Sequence, residues 1–199
     1  MRPDPTTDLV VLRHGQTDWN LEHRFQGHSD IPLNTKGVAQ AKAAGLALAG
    51  HHFDVVYASP LQRAYETARL VCPEASIHTD PRLMEINVGS WAGLTWDQIT
   101  DLMPGYESKY ANGVDFRRSP TGETLADVVA RGLPAVEEIA ARHPDESVLI
   151  VSHGLLLNRV LHAMLGLHGR VLGGLGNAHY SGLGFHHGAW RLLSHNVGP

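Results

Sequence analysis

Three short stretches carry side chains whose types suit phosphoryl chemistry: Arg13-His14-Gly15 after residues 9–12, Ser59 to Arg63 after residues 55–58, and His153-Gly154 after residues 148–151. Each follows a continuous apolar run, as expected of parallel strands covered on both faces. In open α/β sheets, ligands collect beyond the carboxyl ends of such strands. Two arginines and two histidines gathered at one rim repel one another, so a dianion is their natural occupant. Guanidinium forks match phosphate oxygens with paired hydrogen bonds. The helix expected to begin at Gly154 adds amide donors that can point at the same spot. A phosphate cradle needs no histidine, so two of them suggest covalent chemistry. An imidazole that takes the phosphoryl group divides one hard displacement into two easier ones. The departing alkoxide then needs a proton, and "RLMEINVGSWAGLTW" offers Glu85 in a segment that reads as a loop folded over a pocket. Like charge from a bound dianion favours a protonated carboxyl, as a general acid requires.

Delivering these groups to one rim demands alternating strands and helices. Thr35 can cap a helix running to about Ala49 and closed by Gly50. Pro60 is expected in the first turn of a helix containing Leu61, Ala64, Ala68 and Leu70, which stops before Pro73. Thr124 opens a helix with Leu125, Val128, Val129, Val136 and Ile139 on one face, and Pro134 should kink or split it. A further helix begins at Gly154 and continues through Leu157, Val160, Leu161 and Leu165. Late strands near residues 181–185 and 190–193 form a hairpin turning at His187-Gly188. The pattern predicts a three-layer α/β/α sandwich, with a mostly parallel mixed sheet and helices on both faces. No repeat, low-complexity tract or linker interrupts residues 1–199, so one domain is expected.

Bulk properties narrow the function classes. The 199-residue chain is 43% hydrophobic and 18% charged, with a formal net charge of -4. Neither a basic footprint for nucleic acid nor a Lys/Arg run for a membrane surface is present. "MRPDPTTD" does not read as a signal peptide. The apolar stretch 155–167 is broken by Asn158, Arg159 and His162 and is too short to span a bilayer. The lone Cys72 excludes an internal disulfide and fits a reducing compartment, so a cytoplasmic location is expected. Fourteen histidines raise the question of a metal. The pairs His51-His52 and His186-His187 lack carboxylate or cysteine partners at zinc-site spacing, so no metal and no cofactor is expected. The expected partner is a small phosphomonoester, alone or with a second copy of the chain in a homodimer.

Five blocks in order resemble the histidine phosphatase superfamily, also called phosphoglycerate mutase-like. They are Arg13-His14-Gly15-Gln16-Thr17 with Asn20, "QGHSDIPLNTKGVAQA", "SPLQRAYETA", Glu85, and His153-Gly154. The resemblance covers nearly the whole chain. It implies a phosphoglycerate mutase-like fold and a phosphohistidine at His14, cradled without metal by Arg13, Asn20, Arg63 and His153. It also places Gln26 and Gly27 near the substrate and Glu85 in the acid/base position.

Hydrolysis and mutase chemistry share that intermediate. Where mutases of the family carry a Tyr and a Lys after the glutamate, this chain has Val88 and Trp96, and it lacks the mutase insertion before "TGETL". These departures favour a phosphatase, with a cofactor-dependent phosphoglycerate mutase as the alternative and a non-catalytic phosphate-binding module as a second. Arg117-Arg118 echoes a mutase pair but reads as a solvated pair on a loop. Trp91 and Trp96 read as packing for the loop, in a mostly apolar rim with Val88 and Leu175. The tail "LGGLGNAHYSGL" with "WRLLSHN" is similar to bacterial phosphatases of the glucosyl-3-phosphoglycerate phosphatase group. That ester, or a broad range of phosphomonoesters, is the expected substrate.

Overall fold

A computed structural model describes residues 7–186 and 188–199. In chain order the elements are β1 (Thr7–Arg13), α1 (Asp18–Leu21), α2 (Thr35–Ala47), β2 (Val55–Ala58), α3 (Gln62–Val71), β3 (Ile77–Thr79), α4 (Trp96–Leu102), α5 (Tyr106–Ala111), α6 (Leu125–Arg142), β4 (Ser147–Ser152), α7 (Gly154–Met164), β5 (Tyr180–His186) and β6 (Ala189–Val197). The strands form one sheet in the order β3-β2-β4-β1-β5-β6. The first four run parallel, and β5 and β6 close one side as an antiparallel hairpin.

Period-two alternation along the central strands builds a core on each face. Leu9 and Val11 of β1 and Val148 and Ile150 of β4 join Val136, Ile139, Leu156 and Val160 on the α6–α7 face. Val10 and Leu12, with Leu149 and Val151, join Ala44, Ala64 and Ala68 on the α2–α3 face. This is the three-layer sandwich expected from the apolar runs. The small alanines let α2 and α3 lie close to the sheet.

Several local expectations change. Asn34, not Thr35, caps α2 by accepting from the Gly37 N–H at 2.9 Å, and the helix ends at Ala47. Pro60 lies ahead of α3, whose first amide, at Gln62, donates to the Asp30 carboxylate at 2.7 Å. Pro134 does not split α6, which runs unbroken from a Thr124–Asp127 capping box to Arg142. Buried Val128, Ala135, Val136 and Ile139 hold both halves to one core. Helix α7 stops at Met164, one residue short of Leu165. The hairpin strands are longer than expected, and of its tip His187 lies outside the described residues while Gly188 adopts φ +75°. Among the described residues, no helix is long and apolar enough to cross a membrane.

Candidate active site

Strand register assembles the site. Arg13 pairs with Ser152 across β1 and β4, and Ala58 with Val151 across β2 and β4. The residues just beyond these pairs, His14, His153 and Ser59, therefore become neighbours. The His14 N–H donates to the Ser152 carbonyl at 3.0 Å, and the Ser59 N–H to the Val151 carbonyl at 2.9 Å. The two imidazoles meet edge to face with centroids 5.2 Å apart, and both are buried, at 3% and 0% exposure. Helix α2 follows β1 on one face and α7 follows β4 on the other. The crevice between the strand ends is thus a topological switch point.

A backbone carbonyl fixes the His14 tautomer. His14 Nδ1 lies 2.6 Å from the Gly15 carbonyl, which can only accept, so Nδ1 carries the proton and Nε2 keeps its lone pair. His153 Nε2 lies 2.8 Å from Ser59 Oγ, whose oxygen also accepts from the Leu61 N–H at 3.3 Å. Burial, followed by the charges of Arg63 and Arg13, holds His14 well below the usual imidazole range. Burial leads for His153 also, followed by Arg63, His14 and Arg13. Both rings are thereby held neutral at physiological pH.

The arginines are anchored at their tips. Arg13 Nη1 donates to the Leu175 carbonyl at 2.7 Å, and Arg63 donates to the Ser29 and Gly27 carbonyls at 2.7 and 2.9 Å. Gly27 presents that carbonyl from φ +52°, and a Cβ there would lie 2.7 Å from Val88 Cγ2. Arg63 is fully buried, and burial, opposed by Glu85, lowers its pKa to about 10. Burial lowers Arg13 in the same way. Four buried polar atoms here, Arg13 Nε, Arg63 Nε, His153 Nδ1 and Gln26 Oε1, have no hydrogen-bond partner among the described residues. Two of them, the arginine Nε–H groups, are donors. Such groups are costly to bury unpaired, and one tetrahedral oxyanion would satisfy those donors together.

A cavity of about 250 Å³ opens here, lined by Arg13, His14, Asn20, Gln26, Gly27, Arg63 and Glu85. His153 meets the His14 ring edge to face and is not among the lining residues. Asn20 serves two ends: its Oδ1 accepts from the Thr17 N–H at 3.1 Å and the Asn177 Nδ2 at 3.3 Å, and its residue lines the cavity. Glu85 changes one expectation. The first amides of α7 do not face the cavity as free donors, because Leu155 and Leu156 donate to the Glu85 carboxylate at 3.1 and 3.0 Å. A helix N-terminus attracts whichever anion lies nearest, here the side chain. Gly154 packs against Arg13, where a Cβ would lie 3.1 Å from Nε, and lines an adjoining cavity instead.

One loop reading is overturned and another extended. Arg118 is not solvated: it is 6% exposed, lies over the Phe116 ring at 4.4 Å and lines the cavity. Arg117 alone is half-exposed, pairing with Asp127 at 3.4 Å. Trp96 is more than packing, since it lines the cavity with Phe25, Tyr106 and Tyr110. Val88 lines it too, whereas Trp91 is buried against Tyr106 and Phe116, and Leu175 belongs to the adjoining cavity. Tyr106, Tyr110 and Asn177 escaped sequence reasoning because α5 and the 169–178 loop carry no periodic signal. Asn177 donates to the His14 carbonyl at 3.2 Å. Elsewhere, His52 pairs with Asp54 at 3.3 Å and His51 stacks on Phe53. Among the described residues, no three His, Cys, Asp or Glu side chains are grouped so as to hold a metal ion.

A mixed sheet whose first strand runs into a half-buried arginine and a buried histidine, faced by a second histidine and a second arginine, defines an α/β enzyme of phosphoryl transfer. The chain belongs to the histidine phosphatase superfamily (branch 1), whose sequence pattern matches residues 9–198. It is 38% identical over 192 residues to the glucosyl-3-phosphoglycerate phosphatase of Mycobacterium tuberculosis, covering 89% of this chain and 85% of that protein. It is 31% identical over 161 residues to phosphoserine phosphatase 1 of Hydrogenobacter thermophilus, covering 80% and 76%. The solved mycobacterial glucosyl-3-phosphoglycerate phosphatase in complex with VO3 superposes with a TM-score of 0.84 at 36% identity, covering 96% of this chain and 98% of that one.

Proposed function

We propose that the protein is a metal-independent phosphomonoester hydrolase working through a phosphohistidine on His14, with a small phosphorylated metabolite as substrate. The carrying observation is the neutral His14 imidazole, its Nδ1–H committed to Gly15, beside the partnerless Nε–H donors of Arg13 and Arg63. His14 Nε2 attacks phosphorus, the N–P bond forms, and the ester P–O bond breaks. The ester binds as its monoanion and passes a proton to the Glu85 carboxylate, which gives it to the leaving oxygen and then takes one from the water that cleaves the N–P bond. Neutral imidazole is regenerated and inorganic phosphate leaves. Asn20, Gln26 and Gly27 are assigned to the substrate side of the cavity.

Glucosyl-3-phosphoglycerate is the named substrate within this reading, and a broad range of phosphomonoesters is its wider form; the identity to the mycobacterial phosphatase supports the first. The same reading carries a cytoplasmic enzyme, as monomer or homodimer, which sedimentation velocity distinguishes. A phosphate-binding module without turnover is disfavoured by the presence of both His14 and Glu85 in the cavity wall.

Rapid mixing with a ³²P-labelled ester and an alkaline denaturing quench should trap acid-labile label on His14. His14→Ala should abolish both label and turnover, and label on another residue would overturn the mechanism. EDTA should leave the rate unchanged. A mutase reading draws on one observation, the buried Arg118. With 3-phosphoglycerate and trace 2,3-bisphosphoglycerate, phosphate release should outrun isomer formation, and the reverse would establish the mutase.

A further inference from the structure

Residues 165–179, which join α7 to β5, meet three parts of the phosphate cradle at the end of β1. The Leu175 carbonyl accepts from Arg13 Nη1 at 2.7 Å. The Ala178 N–H is shared between the Arg13 and His14 carbonyls, at 3.1 Å each. Asn177 Nδ2 donates to the His14 carbonyl at 3.2 Å and to Asn20 Oδ1 at 3.3 Å. The segment is itself fastened at several points. Asn158 donates to the Leu172 and Gly173 carbonyls at 3.2 and 3.0 Å, and His195 Nε2 donates to the Gly173 carbonyl at 3.0 Å. The Gly176 N–H donates to Asn196 Oδ1 at 2.8 Å. These ties hold buried Ala178 at φ +58°, a left-handed conformation unfavourable for a residue with a Cβ.

The Asn20 amide shows what the segment does. Its Oδ1 accepts three times, from the Thr17 N–H and hydroxyl at 3.1 Å each and from Asn177. An amide whose oxygen is gripped on one side turns its two N–H groups to the other. Asn20 Nδ2 has no acceptor among the described residues, and Asn20 lines the cavity. We infer that Asn177 is a positioning residue for phosphoryl transfer. It fixes the Asn20 amide so that Nδ2 faces the phosphoryl oxygens, and it ties that amide to the backbone of the nucleophile. Asn177 does not itself line the cavity. The inference rests on the phosphatase reading and adds to it a residue that acts through another.

The tie acts on the transferred group and not on the leaving oxygen. Asn177→Ala should therefore lower kcat/KM by the same factor on glycerol 3-phosphate and 4-nitrophenyl phosphate, about 10- to 100-fold. In an Asn20→Ala background the same change should cost less than about threefold, because the group it positions is gone. Equal losses in both backgrounds, or no loss in the wild-type background, would overturn the inference and leave the phosphatase standing. A loss confined to the alkyl ester would place Asn177 with Glu85 and overturn it too. Asn177→Asp keeps the shape without the donors and takes the place of Asn177→Ala in the cycle if that variant does not fold. Failure of both to fold makes Asn177 a structural tie and overturns the positioning role. Absence of phosphate release from either ester by the wild-type protein overturns the phosphatase reading instead. The same cycle is then read as affinity for inorganic phosphate by calorimetry, and additive losses overturn the positioning role.

Discussion

At the residue scale, the Gly15 carbonyl decides which nitrogen of His14 is free, and the α7 amides decide where Glu85 points. Glu85 Oε1 accepts from Ile86 and Leu156, each at 3.0 Å, and Oε2 from Leu155 at 3.1 Å. That grip orients the carboxyl without occupying every lone pair. In its proposed role as the acid, Glu85 matters in proportion to the basicity of the leaving oxygen. Glu85→Gln should therefore slow an alkyl phosphate by about 100- to 10,000-fold and 4-nitrophenyl phosphate far less. Equal losses on both esters, measured as kcat, would assign Glu85 to positioning alone.

At the scale of elements, close approach and clamping set the geometry. A Cβ on Gly37 would lie 2.0 Å from the Gln16 carbonyl, and one on Gly15 would lie 2.4 Å from the Gly37 carbonyl. Only glycine at both positions lets the turn after β1 lie against the start of α2. The Glu85 loop is held from α6: Arg131 donates to the Arg82, Met84 and Glu85 carbonyls at 2.7, 2.7 and 2.8 Å, while Glu123 fixes the guanidinium at 2.8 Å. Arg131 thus positions the loop that carries the proposed acid. Arg131→Met should reduce kcat on alkyl esters by roughly tenfold or more, with a smaller effect on 4-nitrophenyl phosphate. Arg131→Lys should recover little, because one ammonium cannot span three carbonyls and a carboxylate. A uniform loss on both esters would reduce Arg131 to a structural tie.

Across the whole molecule, two imidazoles buried and neutral at the sheet's switch point link stability to pH. Their folded pKa values lie well below 6.5, the ordinary value. Above about pH 6.5 neither folded nor unfolded chain protonates them, and their contribution is fully present. Below it the unfolded chain takes up protons that the folded chain refuses, so stability falls by up to about 1.4 kcal/mol per pH unit for each histidine. Urea denaturation in phosphate-free buffer should show that decline between pH 7 and 5, with a shallower slope in His153→Asn. A flat wild-type profile would contradict neutral burial.

What the sequence by itself determined was the layered sheet and the Arg13, His14, Arg63 and His153 rim. Continuous apolar runs specify strands buried on both faces, and parallel strands end together. Capping at Thr124 was legible as well, because it depends on residues three apart. Tertiary structure decided what depends on distant partners. Asp30, not Pro60, starts α3, and Glu85 takes the amides at Gly154. Arg118 left solvent because Phe116 and the aromatic wall close over its loop. Burial of a loop arginine is set by packing across elements, which no local period encodes.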